Sequence, residues 1–315
     1  MNQEDRVAMN RRQFAGVGIG AAAFATTGGP ALAASRPGAD QDSFVAPPAP
    51  PAQAPVEESY VEVADSVRLW CWDTGGTGAP VVLFHPATGS GKVWSYQQPV
   101  FAKAGYRVIG YSRRGYANSD NGPSTSPGTT SGDLRALLDK LKIDRFHAVA
   151  TAGGGFVAAD YAISHPGKLI SLTLACSILG VEDGEIGAMN KRIRPDFFNK
   201  IPADYREIGP SYRATNPEGH AAWVALNAGG RSPGAVSQPQ ANTITLDALR
   251  RFTTPTLLLC GDADLLSPPP VARAFAKAMP NARLEILTEC GHSAYWERPE
   301  QFNKLVLDFI RSHKA

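Results

Sequence analysis

Phe146-His147-Ala148-Val149-Ala150-Thr151-Ala152-Gly153-Gly154-Gly155 is the stretch on which the fold turns. Its first five residues form an apolar run short enough for a buried strand, and Gly154 to Ser164 reads as a helix halted by His165-Pro166. Between them lies a turn in which glycine has a physical purpose. A chain that leaves a strand and enters a helix within two or three residues needs strained backbone angles and close packing of helix on strand, which a β-carbon would obstruct. A triple glycine alone is only turn chemistry, so its neighbours must decide.

Upstream, Tyr60 to Val63 and Val67 to Trp72 predict a hairpin, Val81 to Phe84 a strand and Val93 to Lys103 a helix. Arg107 to Tyr111 reads as a strand, and Ser131 to Leu141 as a helix capped by its serine. Downstream, Leu169 to Ala175 is a strand, after which the rhythm breaks. Residues 180–246 hold charged, proline-rich helical pieces and no good strand, an inserted helical cap. The alternation resumes with Thr256 to Cys260, a helix from Val271 to Ala278, the strand Leu284 to Leu287 and a last helix from Pro299 to Ser312. Strands alternating with helices require a mostly parallel sheet covered on both faces. There is no internal repeat.

In such sheets ligands bind beyond the carboxyl ends of the strands. Three strand exits carry chemistry: Thr151-Ala152-Gly153-Gly154, Gly261-Asp262-Ala263-Asp264 and Glu289-Cys290-Gly291-His292. With Glu297-Arg298-Pro299 following, the chain from Tyr60 to Lys314 resembles the α/β-hydrolase fold superfamily, cap-bearing and esterase- or lactonase-like. The resemblance implies a nucleophile elbow of pattern G-x-S-x-G at Ala150 to Gly154, with Ala150 at the leading glycine and Ala152 in the serine slot. It further implies Asp264 as the acid, His292 as the base, and an oxyanion hole formed by the backbone N–H groups of Ala87 and Gly153. His85-Pro86-Ala87-Thr88-Gly89-Ser90-Gly91 corresponds to the oxyanion loop, with Pro86 where glycine is usual. Ser112-Arg113-Arg114-Gly115-Tyr116 shapes a pocket wall.

A methyl group cannot attack a carbonyl, so the two-step serine mechanism does not operate in this chain as written. Three readings stay open. The site is a serine hydrolase inactivated at Ala152; or His292, oriented by Asp264, deprotonates water or substrate without a covalent intermediate, as lyase, hydrolase or oxygenase chemistry requires; or the fold binds a ligand without turning it over. Thr151, Ser90 and Cys290 are poor substitutes for the missing nucleophile, Thr151 because it precedes the apex of the turn. The cap aromatics Phe197, Phe198, Tyr205, Tyr212 and Trp223 suit a small apolar or aromatic ester, lactone or ketone, although packing of cap on core accounts for most of them.

With 315 residues, 43% hydrophobic and a formal net charge of +2, the chain lacks the electrostatic footprint of a nucleic-acid or anionic-membrane binder. A small-molecule substrate is expected, with no cofactor: there is no metal-ligand spacing, dinucleotide fingerprint or lipid motif. Assembly is left open between a monomer and a homodimer. Residues 1–33, with Arg11-Arg12-Gln13-Phe14 before a Gly/Ala-rich apolar stretch and an Ala31-Leu32-Ala33 cleavage triplet, resemble a twin-arginine signal. The stretch is too short and glycine-rich for a membrane anchor, which needs about 20 apolar residues, so a periplasmic or secreted protein is expected. Residues 34–58 form a Pro/Ala-rich linker, 59–179 and 247–315 the core, and 180–246 the cap. Cys71, Cys176 and Cys260 lie in apolar runs and read as buried thiols, with Cys260 to Cys290 the one pairing to check.

Overall fold

The computed structural model describes residues 45–314; the stretch expected to be a twin-arginine signal and the first part of the expected linker lie outside them. Eight strands form one sheet: β1 (Glu57–Ala64), β2 (Val67–Asp73), β3 (Pro80–Phe84), β4 (Arg107–Tyr111), β5 (Phe146–Thr151), β6 (Leu169–Ala175), β7 (Thr256–Gly261) and β8 (Ala282–Leu287). Their order is β1-β2-β4-β3-β5-β6-β7-β8. The pairings β1–β2 and β2–β4 are antiparallel and all others parallel. The α/β class, with strands of the expected type and order, is therefore as the sequence indicates.

The helices in chain order are α1 (Gln98–Lys103), α2 (Thr130–Lys140), α3 (Gly153–Ser164), α4 (Gly184–Ile193), α5 (Ala203–Glu207), α6 (Pro210–Thr215), α7 (Pro217–Ala228), α8 (Leu246–Arg250), α9 (Pro269–Ala278), α10 (Ala294–Glu297) and α11 (Pro299–Arg311). One face of the sheet buries Leu134 and Leu137 of α2, Val157 and Tyr161 of α3, and Phe275 of α9. The other buries Phe101 of α1, Trp296 of α10, and Phe302, Val306 and Ile310 of α11. Each helix thus turns one apolar stripe inward, the arrangement that lets a two-sided sheet exclude water.

Two local expectations are corrected. The first helix begins at Gln98 rather than Val93: Pro99 sits in its first turn, where a missing N–H costs nothing, while Val93 to Gln97 fold as turns. The second is capped by Thr129, whose Oγ1 accepts the Gly132 N–H at 3.1 Å, and not by Ser131. The proline-rich segment before β1 also has partners. Tyr96 donates its hydroxyl to Pro48 O at 2.7 Å, and Ala54 exchanges two hydrogen bonds of 3.0 and 2.8 Å with the Gln98 amide.

Between β6 and β7 the chain makes helices α4 to α8 and no ladder strand, its one bridge joining Arg231 to Tyr116. Among the aromatics noted there, Tyr212 and Trp223 are buried with the α1–α11 layer, whereas Phe197 and Tyr205 are exposed. Packing rather than ligand contact explains the first two. Cys71, Cys176, Cys260 and Cys290 are all buried and free, so the Cys260–Cys290 pairing is not made.

Candidate active site

Register brings the strand exits to one edge. Phe84 pairs with Ala150, Thr151 with Ala175, Ala175 with Leu259, and Gly261 with Leu287, so five neighbouring parallel strands end level with one another. Short bonds then tie the exits together: Ala152 N donates to Ala175 O at 2.9 Å and Cys176 N to Leu259 O at 2.8 Å. The Cys176 thiol points at Gly291 O, 3.8 Å away, beside His292.

Ala152 sits at φ 48° and ψ −118°, a conformation that side-chain-bearing residues avoid and that costs roughly 1–3 kcal/mol. The glycines after it allow α3 to start at once. A β-carbon on Gly154 would run into the backbone carbonyl of Phe84, and one on Gly153 would lie 3.0 Å from Ala87 N. Ala87 and Gly153 are thus neighbours, and neither backbone N–H has a partner among the described residues. Thr151 is fully buried, and its hydroxyl has no partner among the described residues.

The Asp264 carboxylate is 2% exposed and saturated: Oδ1 accepts Leu266 N at 2.7 Å and Ser267 N at 2.9 Å, while Oδ2 accepts the Ser267 hydroxyl at 2.7 Å. Nδ1 of His292 lies 2.9 Å from both carboxylate oxygens. The pair is therefore locked, with Nδ1–H donating to the Asp264 carboxylate and Nε2 outside the pair. Burial disfavours the imidazolium, but the Asp264 carboxylate, followed by Glu207 and Glu297, outweighs it and holds His292 above its ordinary value. Burial likewise raises Asp264, and the attraction of His292 with its hydrogen bonds overcomes this and holds it below the usual carboxylate range.

Two buried carboxylates here were not legible as site residues. Glu207, at the end of α5, accepts the Thr88 hydroxyl at 3.0 Å, and its backbone carbonyl accepts His292 N at 2.7 Å and Ser293 N at 3.1 Å. Burial raises its pKa, partly offset by His292 and by Thr88. Glu297 accepts Gly209 N, Gly291 N and Ser293 N at 2.8–3.1 Å, stitching the cap to the histidine loop, and burial pushes it up to about 7. Only the pairing of cap with loop reveals Glu207, and short-range spacing carries no trace of it.

The sequence profile of the alpha/beta hydrolase family matches residues 81–305. The chain belongs to this family. Among its relatives, a Mycobacterium tuberculosis protein named as a non-heme bromoperoxidase, BpoC, is 31% identical over 269 residues, 78% of this chain and 98% of the relative. A 2-hydroxy-6-oxononadienedioate/2-hydroxy-6-oxononatrienedioate hydrolase of Cupriavidus pinatubonensis is 28% identical over 290 residues, 80% of this chain and 94% of the relative. Among solved structures, Est816, described as an N-acyl homoserine lactone degrading enzyme, superposes with a TM-score of 0.66 at 28% identity, covering 80% of this alpha/beta hydrolase and all of that one.

Proposed function

We propose that this alpha/beta hydrolase is an enzyme for a small apolar or aromatic ester, lactone or ketone, and that it works without a covalent intermediate. The observation that carries the reading is the locked pair: a buried histidine with one nitrogen committed to a saturated carboxylate and the other free. His292 Nε2 takes a proton from water or from an acidic C–H of the substrate, and Asp264 stabilises the imidazolium formed. In hydrolysis the water oxygen adds to the carbonyl carbon, and the charge gathering on the carbonyl oxygen falls to the N–H groups of Ala87 and Gly153. His292 then returns the proton to the leaving oxygen. Ala152 occupies the slot from which a serine would attack and leaves room there for the water or the substrate.

A screen of lactones, aromatic esters and 1,3-diketones against the protein and its His292→Ala variant tests this. Removing the base should cut turnover by roughly 10²- to 10⁴-fold with little change in affinity; conversion that survives in the variant rules His292 out as the base. The retained strain at Ala152 favours a second reading, a serine hydrolase that has lost its nucleophile. Under it, Ala152→Ser should gain p-nitrophenyl ester hydrolysis and fluorophosphonate labelling, and a folded but unlabelled variant sinks it.

We also propose export through the twin-arginine route to the periplasm or beyond. Sequencing of the exported form should find Ala34 at its N-terminus, and Arg11→Lys with Arg12→Lys should leave the precursor in the cytoplasm; periplasmic accumulation of the double variant contradicts the route.

A further inference from the structure

A cavity of about 220 Å³ shares Ala87 and Gly153 with the candidate oxyanion site. This is below the roughly 300–1,000 Å³ of pockets that take drug-sized ligands. Its charged lining has one sign, Arg113, Arg114 and Arg231, with no Asp or Glu among the lining residues. Arg114 is neutralised, since Asp133 accepts from its Nε at 3.0 Å and from Nη2 at 2.7 Å.

Arg113 is not. It is 8% exposed, and its partners are all uncharged: the His85 ring at Nε2, 3.2 Å, and Nδ1, 3.3 Å, Gly153 O at 3.2 Å and Pro86 O at 3.0 Å. Burial, followed by the Arg113 charge, holds His85 well below its ordinary value, so the ring is a neutral acceptor beside the guanidinium. A guanidinium has five N–H donors, and these contacts leave a second N–H of Nη1 unengaged.

A second cation is delivered to the same place by the backbone. The Tyr116–Arg231 bridge and the Ser232 N to Gly115 O bond of 3.0 Å pin the cap's return beside Tyr116. The ring of Tyr116 then lies 4.6 Å from the Arg113 guanidinium carbon and 5.8 Å from that of Arg231. Thr130, also in the lining, has a buried hydroxyl oxygen with no partner among the described residues. A buried charge without a counter-ion and a second like charge beside it are unfavourable until an anion arrives.

We propose that this cavity is a carboxylate-binding subsite, in which Arg113 and Arg231 hold the acid group of a small organic acid beside the oxyanion donors. The carboxylate belongs either to the substrate, which rests on the catalytic reading above, or to a free acid. Both use the same fork of donors.

Calorimetric titration of the exported protein with benzoate and with its neutral isostere benzamide tests the subsite directly. Benzoate should bind about tenfold more tightly than benzamide, and less tightly as salt is raised. Arg231→Gln, at an exposed position, should weaken benzoate several-fold while the melting temperature holds. Arg113→Lys keeps a charge but loses the fork, and should weaken it too. Equal affinity for benzoate and benzamide, or benzoate affinity unchanged in both arginine variants, overturns the proposal.

Turnover by the parent protein separates this from the proposed reaction. Benzoate binding by a parent protein that converts none of the screened substrates keeps the subsite and loses the enzyme, whereas His292-dependent turnover of neutral esters with no benzoate binding does the reverse. Competition between benzoate and a carboxylated ester assigns the subsite to the substrate's own acid group. Benzoate binding that leaves the KM of that ester unchanged assigns it to a free acid.

Discussion

At the scale of single residues, the informative side chain is Glu207, a carboxylate delivered from the cap to the back of the histidine. In the proposed reaction His292 serves as a base only when neutral, so kcat/KM should rise as pH climbs through its folded-state pKa. That limb should lie above the ordinary 6.5, because Asp264, Glu207 and Glu297 together favour the charged ring. Glu207→Gln removes one of these negative charges and should therefore move the limb to lower pH. A pH–rate profile identical to that of the parent would place Glu207 outside the electrostatics of the base and leave it only its hydrogen bonds to Thr88, His292 and Ser293. The pairing of Asp264 with His292 could be read from the chain because both lie in short motifs at strand exits. Glu207 could not, because nothing within ten residues of it hints that α5 will fold over Thr88.

At the scale of elements, most of the sheet follows from periodicity and from the breaks between apolar runs. β4 and β6 have the expected bounds, since each is a short apolar run with turn signals on both sides. Helix starts were less legible, as α1 and α2 show: whether a turn becomes helix is settled by which side chain reaches the first free N–H groups, and Thr129 outcompeted Ser131. One close element contact is α3 on β3, where Gly154 meets the Phe84 carbonyl. Gly154→Ala should therefore destabilise the protein by roughly 1–3 kcal/mol through overpacking, read as a lowered urea midpoint. Gly229→Ala is the matched control, because a β-carbon there meets nothing within 4 Å. Equal midpoints for the two variants would show that the elbow tolerates a side chain.

Across the whole molecule, the cap is fastened at its exit as well as at the histidine loop. Asp160, fully buried on α3, accepts Ala241 N at 2.9 Å, Asn242 N at 2.8 Å and the Asn242 amide at 2.8 Å. Asp183 reaches across to Leu246 N at 3.3 Å, closing the base of the insertion where α8 begins. α4 packs with the α2–α3–α9 layer through Ile186, while α6 and α7 pack with the α1–α11 layer through Tyr212 and Trp223, so the insertion straddles both cores. Asp160→Ala leaves its donors unsatisfied and should cost roughly 1–3 kcal/mol, with new protease cleavage between residues 230 and 245. Cleavage confined to the chain ends would mean that the exit is held by something else.

The strained turn at Ala152 has a genetic corollary. Everything a serine would need there, the backbone angles, the neighbouring N–H groups and the oriented imidazole, is already built, and one oxygen atom is missing. Alanine and serine codons can differ by a single first-position base, so hydrolytic nucleophilicity lies one transversion away from this gene. A mutant library selected for growth on a simple ester should return that codon before any other change in the pocket.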